Sequence, residues 1–522
     1  MQSVNAVFTT EEKTSFRQIA ESFLVSWHRY NILGSKTFTI GSSLIGGNDL
    51  IGINPGAIGS PGNYKYFDES SYLMSLAIER GYNMPTGGLT IAQAEALLDN
   101  TTQRFTPRSM GGNSEISTAI LPSRPALMNA GFNINGIDQT LPLFAGVTSD
   151  QPVVNVRNRT LSLKMLDYVN FFSGKKLDNA VMFTGQRTDQ VLTTLSTLLG
   201  MNTAQYDYDL GINVIPFGYF PSGTSFADAF GQLVEAENGH YYQDEAGIFK
   251  FENRQHWSNS PYTNVQKVIS TGQVIDAQSP DTSHLVNVVE INSNIRTKQQ
   301  QDVVFRLDVT APILIPAKSN TDVFLDFSDP VMAVTDPSYG GSVSYFIANT
   351  ISDGSGTDVS ANLVPSRDAL FADSIKYTFT NNGTQDAWLT SLVVSGRSAK
   401  TTTTLYYRAQ DDSSITAFDE HGITISNDFI SSQSWAASYA QMILNDFSNP
   451  ENIQIITIRA VPELQMGDLV SWQGRYWRIF DIKTMLDPSQ GFVQDLTLLQ
   501  RTITTYFRIG VSTIGGSDII SP

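Results

Sequence analysis

Leu161-Ser162-Leu163-Lys164-Met165 alternates apolar and polar residues, and the same period of two returns along the chain. It recurs in Val303–Val309, in Ile375-Lys376-Tyr377-Thr378-Phe379-Thr380 and in Leu496-Thr497-Leu498. A period of two is the mark of strands with one buried face. Turn chemistry lies between them. Gln473-Gly474 separates Trp472 from Tyr476-Trp477 and reads as a hairpin, and Asp487-Pro488-Ser489-Gln490-Gly491 breaks the next pair. The chain is expected to be mainly β.

Four stretches carry helical spacing instead. Thr9 with Glu12 fits a capping box ahead of an apolar stripe of Phe16, Ile19, Ala20 and Phe23. Gln186–Leu199 is stopped by Gly200, Thr224–Asn238 by Gly239, and Ser431–Phe447 by Asn449-Pro450. Their apolar faces read as docking faces on a sheet. Within an α/β block from about Gly174 to Thr282, after two of these helices, a hairpin is expected at Gly239–Gln243 and Ile248–Glu252 around the turn Asp244–Gly247. A low-charge, Ser/Thr/Gly-rich stretch near 306–399 has strand signals at Val323–Phe327, Ser344–Ala348, Ile375–Thr380 and Trp388–Val394, enough for a small β-sandwich. A looser duplication is expected. Phe144–Val147 leads through a turn to Thr160–Leu166, and Tyr476–Ile482 leads through a turn to Asp495–Leu499, so both blocks would close in the same way.

With 522 residues, the chain is too long for one ordinary core and suggests three or four domains. Charged residues are 16%, against roughly 25% in an average soluble protein. Acids outnumber bases 50 to 33, a net charge of −17, which argues against a broad nucleic-acid surface or a basic membrane patch. Cysteine is absent, so no disulfide, thiolate metal site or thiol nucleophile can form. No apolar run is long enough to span a membrane. The start lacks the pattern of a signal peptide, which makes synthesis in the cytoplasm the expectation.

The catalytic signatures sought are missing. There is no phosphate-binding Gly-rich loop and no nucleophile elbow, and His28, His240, His256, His284 and His421 show no ligand spacing. Asp244-Glu245, Asp411-Asp412 and Asp419-Glu420 could in principle serve a glycosidase, but each reads as a pair of turn acids. Asp353–Asp358 places oxygens at alternate positions, as calcium loops do, yet a Gly-rich turn is the better reading. No cofactor is expected. Trp472, Tyr476 and Trp477 cluster at one turn, as either barrel core or a contact for protein or glycan.

The stretch from Gly87 to Pro107, with Leu98-Asp99-Asn100-Thr101-Thr102-Gln103-Arg104-Phe105-Thr106-Pro107, resembles the first block of tail hub proteins from long-tailed bacteriophages, the minor tail or baseplate-hub group. Pro122-Ser123-Arg124-Pro125, Leu143-Phe144-Ala145-Gly146, the strand closing at Asp167, Arg187-Thr188-Asp189, Asp244–Arg254 and Met466-Gly467-Asp468-Leu469-Val470 with Tyr476–Ile482 follow in the order of that family. The resemblance covers most of 23–305 and 400–501. It implies an N-terminal arm with a helix at 1–22, a first hub β-barrel at 23–173, an α/β domain at 174–282, and a second barrel at 283–305 and 400–501. The inserted sandwich takes 306–399 and a tail 502–522. No peptidase or lysozyme module of longer relatives follows Arg501, so an enzyme is not expected.

The implied function is structural: a homotrimeric hub at the distal tail tip of a virion. It would adapt a sixfold tube to a threefold tip, close or gate the lumen before DNA ejection, and anchor tip components. The implied partners are the distal tail protein, the tail tube, the tape-measure protein and a tip fibre or receptor-binding protein, with DNA only in transit. A host-surface carbohydrate-binding adhesin is the alternative, and a cell-wall glycoside hydrolase is a third reading. Trp472, Tyr476, Trp477, Tyr506 and Phe507 are the candidate interface or glycan contacts, and the tail holding Tyr506 and Phe507 is expected to dock on a neighbouring subunit or tip protein.

Overall fold

The computed structural model describes residues 1–4, 8, 19–27, 66–150, 152–259, 261–280, 282–340, 345–487 and 491–501. The chain is mainly β. One 14-stranded sheet dominates, and its main path contains strands from both ends of the sequence. Leu73–Gly81 joins the two halves. On one side it pairs antiparallel with Gln93–Asp99, which leads through Thr160–Leu166, Ile137–Thr148 and Pro125–Ile134 to Ile19–Val25. On the other side it pairs with Arg475–Asp487, which continues to Gly491–Arg501, Ile453–Arg459 and Val274–Ala277.

One sheet serves two separate cores. Phe23, Ile78, Leu98, Met128, Phe132 and Leu163 pack in the first, while Ile456, Val470, Trp477, Ile479, Ile482 and Leu496 pack in the second. The alternation read in Leu161–Met165 is the reason: Leu161, Leu163 and Met165 are buried and Lys164 faces solvent.

A third core holds the helices. Thr188–Leu198, Phe226–Glu237 and Gln433–Phe447 bring Leu192, Leu195, Phe230, Leu233, Tyr439 and Ile443 together with Tyr241 and Phe249 of the hairpin His240–Gln243 and Phe249–Glu252. The Oγ of Ser225 accepts the backbone N–H of Asp228 at 3.0 Å and caps the middle helix. Ser225→Ala is expected to lower stability by about 1 kcal/mol in thermal unfolding; an unchanged midpoint would show the cap to be redundant.

The inserted region forms two sheets around one core. Asn320–Asp326, Ser374–Asn381 and Leu363–Leu370 make one. The other gathers Asp302–Leu307, Ile313–Ile315, Val331–Thr335 and Phe346–Asn349 along the 24-residue strand Ala387–Gln410. That strand continues out of the sandwich to pair with Val288–Lys298, so positions 306 and 399 fall inside strands and a β-ribbon carries the sandwich.

Three readings change. Ile19, Ala20 and Phe23 lie on a strand, paired residue by residue with Pro125–Ile134, and the division at 22 cuts it. Thr9, Glu12 and Phe16 lie outside the described residues. Phe23, Leu24 and Val25 favour a pleated, half-buried surface, and the sheet overrides a weak helical spacing. The two closures expected to match differ in pairing. Arg475–Asp487 pairs with Gly491–Arg501 along almost its whole length, whereas Ile137–Thr148 meets Thr160–Leu166 at only two positions. A short helix, Asp412–Phe418, capped by Asp411, was not expected.

Candidate functional site

The join between the two halves of the large sheet is the first feature of interest. On its solvent face, register aligns one polar residue per strand across six strands: Gln93, Glu79, Lys483, Asp495, Thr457 and Asp276. Gln93 Nε2 donates to Glu79 at 2.8 Å and Thr457 Oγ1 to Asp495 at 2.7 Å. One step along, Asp481 faces Gly81, where any Cβ would collide with its carboxylate. Burial, then the neighbouring Glu79 charge, pushes the Asp481 carboxyl up to about 6. Glu95 lies opposite Lys164 on the same face. The result is a predominantly acidic polar ribbon that crosses from one half of the sheet to the other.

Beside this join, a buried polar junction fastens the helical core to the sheet. Glu252 sits at its centre, accepting from Tyr82 at 2.9 Å and Tyr242 at 2.7 Å. His256 lies between two acids, with Nδ1 2.7 Å from Asp209 and Nε2 3.3 Å from Glu252. Burial alone would push the imidazole down, but the Asp209 hydrogen bond and the Glu252 charge reverse this and hold it above its ordinary value. His240 goes the other way. Burial, reinforced by the nearby His256, pushes it down to about 3, so it is neutral and stacked on Trp257. Arg478 lies 5.2 Å from the Trp257 ring centre and donates to the carbonyls of Gly467 and Tyr262. Burial lowers Arg478 to about 10.

An ion pair closes the edge of the junction. Arg80, on Leu73–Gly81, pairs with Glu245 of the hairpin turn, both buried. Gln465 donates to the other Glu245 oxygen at 2.9 Å. Asp244 is a turn acid as expected, its carboxylate accepting from the backbone of Ala246 and Ile248. Glu245 is not, because its carboxylate turns inward to Arg80.

The sequence-derived site residues separate. Trp472 and Trp477 are 6% and 3% exposed and lie in the second sheet core, so of the three aromatics at that turn only Tyr476, at 38%, is exposed. Tyr506 and Phe507 lie outside the described residues. Asp353 and Asp358 spend their carboxylates on Ser355 and Ser360, as turns do. No group of three or more His, Asp or Glu that could hold a metal occurs among the described residues. No described helix is long and apolar enough to cross a membrane.

The chain is similar to tail proteins of known structure. The 43 kDa tail protein of prophage MuSo2 from Shewanella oneidensis aligns with 84% of this chain and 95% of its own, at 10% identity and a TM-score of 0.43. The tail protein from Neisseria meningitidis aligns with 84% and 94%, at 10% identity and 0.44. An E. coli component of the type VI secretion system, described as structurally similar to T4 bacteriophage tail proteins gp27 and gp5, aligns with 83% and 74%, at 8% identity and 0.37. No family model and no curated protein matches.

Sequence reasoning did not single out Tyr82, Asp209, Glu252, His256 or Arg478 as one site. The signal was partial: Glu252 lies within the Asp244–Arg254 motif, and Arg478 within Tyr476–Ile482.

Proposed function

We propose that this chain is a structural hub at the distal end of a phage or phage-like tail, assembling as a homotrimer. The observation that carries the reading is the single sheet running through Leu73–Gly81 and Arg475–Asp487, with a core behind each half. Two such halves per chain supply six walls in a trimer, the number needed to meet a sixfold tube from a threefold tip. Closing the ring would also cover sheet edges such as Val274–Ala277, whose Ile275 is exposed.

In this assembly the polar ribbon lines the lumen. Glu79, Asp495, Asp276, Asp481 and Glu95 then repel phosphate, so DNA passes without adhering. The chain would meet the tail tube, distal tail protein and tape-measure protein on one side, and a tip fibre or receptor-binding protein on the other. The sandwich, carried away from the sheet on its ribbon, would face outward. A glycan contact at the Trp472–Trp477 turn would rest on Tyr476, since both tryptophans are buried.

Electron microscopy of the purified full chain tests the assembly directly. Class averages should show a threefold ring with six lobes. Twofold or asymmetric particles in which each copy is separate, at concentrations where distal tail protein is also present, would reject the hub.

A further inference from the structure

One stretch of sequence occurs twice, once beside each half of the large sheet. Phe38-Thr39-Ile40-Gly41-Ser42-Ser43-Leu44-Ile45-Gly46-Gly47-Asn48-Asp49-Leu50-Ile51 aligns without a gap with Phe507-Arg508-Ile509-Gly510-Val511-Ser512-Thr513-Ile514-Gly515-Gly516-Ser517-Asp518-Ile519-Ile520. Nine of the fourteen positions are identical, and Leu50 against Ile519 keeps the size and apolar character. Ile-Gly-Gly-x-Asp occurs nowhere else in the chain. Both copies lie outside the described residues, but the strands that lead to them do not. The first copy falls between Ile19–Val25 and Phe67–Asp68, which pair with each other in the first half of the sheet. The second follows Gly491–Arg501, in the other half. Each half therefore carries one copy.

Core packing does not account for the repeat. The strands of the two halves share their alternation, yet they close with different pairing. A core accepts many apolar exchanges of similar volume, so it does not dictate the same residues in the same order. Two copies of one recognition sequence call for two copies of one surface. We propose that 38–51 and 507–520 are equivalent contacts, and that their common target is the set of identical subunits in the sixfold ring that the hub meets. This rests on the hub reading, in which three chains carry six copies, one for each ring subunit. The shared positions define the chemistry of the target. Phe38 and Phe507, with Ile45 and Ile514, require apolar pockets. The Gly-Gly pairs let a partner backbone approach closely. Asp49 and Asp518 require an Arg, a Lys or backbone N–H donors. The two contacts of one chain also reinforce each other, since engagement of one raises the effective concentration of the other.

The test places the photo-crosslinker p-benzoylphenylalanine at Phe38 or, separately, at Phe507 of the full chain in assembled tail particles. Irradiation and mass spectrometry then identify the captured peptide. Both positions should capture the same peptide of one ring protein. Capture by one position only, capture within this chain alone, or no capture would each overturn the proposal. Two different peptides of a sixfold ring protein would overturn it and leave the hub reading intact. One shared peptide of a protein that forms no sixfold ring would overturn the hub reading, and the sixfold target with it. Substitutions add a quantitative check. Ile45→Asp and Ile514→Asp should each weaken binding of the chain to the particles by the same factor, about a hundredfold, and the double variant should abolish binding. Unequal losses would show that the two copies do not meet equivalent surfaces. The crosslinker keeps an aromatic ring at each position, so that arm holds even where an Ile→Asp variant fails to fold.

Discussion

Glu245→Ala should lower folding stability by about 3–5 kcal/mol, the cost of leaving a buried charge without its partner. Arg80 is buried on the strand that joins the two sheet halves, and Glu245 is its ion-pair partner. Removing the carboxylate also strands the Gln465 amide. The loss would come from desolvating an uncompensated guanidinium, so it depends on whether both partners are changed. Arg80→Leu combined with Glu245→Leu should recover most of the stability, because an apolar pair of similar size escapes the desolvation cost. Asp167 supplies a further check. Burial holds its carboxyl at about 7, opposed first by the backbone N–H groups of Ala92, Val169 and Asn170 and then by the Arg80 charge. In the Glu245→Ala variant, ionisation of Asp167 can partly compensate Arg80, so the deficit should be smaller at pH 8 than at pH 6. Urea unfolding followed by tryptophan fluorescence reads both variants. A loss under 1 kcal/mol for Glu245→Ala would mean that water reaches the pair.

That ion pair marks the limit of what the sequence made legible. Local signals were strong where the determinant is local. Gln473-Gly474 read as a hairpin turn, and both residues take the positive φ that a tight two-residue turn requires. The helices ending before Gly200, Gly239 and Pro450 follow from apolar spacing and stop residues. Glu245 was read as a turn acid because its neighbours in sequence form a turn, and nothing local reveals that Arg80 waits across the fold. The same holds for Trp472 and Trp477, where a turn rich in aromatics is compatible with core or contact until the opposing sheet is known. The Ile19–Val25 strand is the converse case, a helical spacing overruled by partners at Pro125–Ile134. The buried junction was the least legible feature of all, because Tyr82, Asp209, Glu252, His256 and Arg478 come from separate elements and each is unremarkable alone.

The junction should also make stability depend on pH, with a sign that follows from His256. Its imidazole is held above the ordinary value by Asp209 and Glu252, against the burial that opposes charge. A raised value means that the folded chain favours the protonated form. The contribution is therefore complete below the ordinary imidazole value of about 6.5. It is lost as pH rises through the folded value, at no more than about 1.4 kcal/mol per pH unit for one proton. The groups facing His256 act together. Asp209 and Glu252 attract its proton, Arg478 repels it, and Tyr262 packs against the ring. Neutralising His256 would leave two carboxylates beside each other, with Arg478 as the remaining cation. Glu252 is itself raised by burial, so its own contribution has the same sign but begins to fall from the ordinary carboxylate value, in a more acidic window. His256→Gln separates the two, since it removes the loss above pH 6.5 and keeps an acidic one, with Glu252 raised further once the His256 charge is gone. Thermal unfolding midpoints from pH 5 to pH 9 should therefore fall more steeply above neutrality in the parent chain than in the variant. Parallel profiles would mean that His256 does not clasp the two acids in the folded state, and the junction would then be held by Arg478 and the two tyrosines alone.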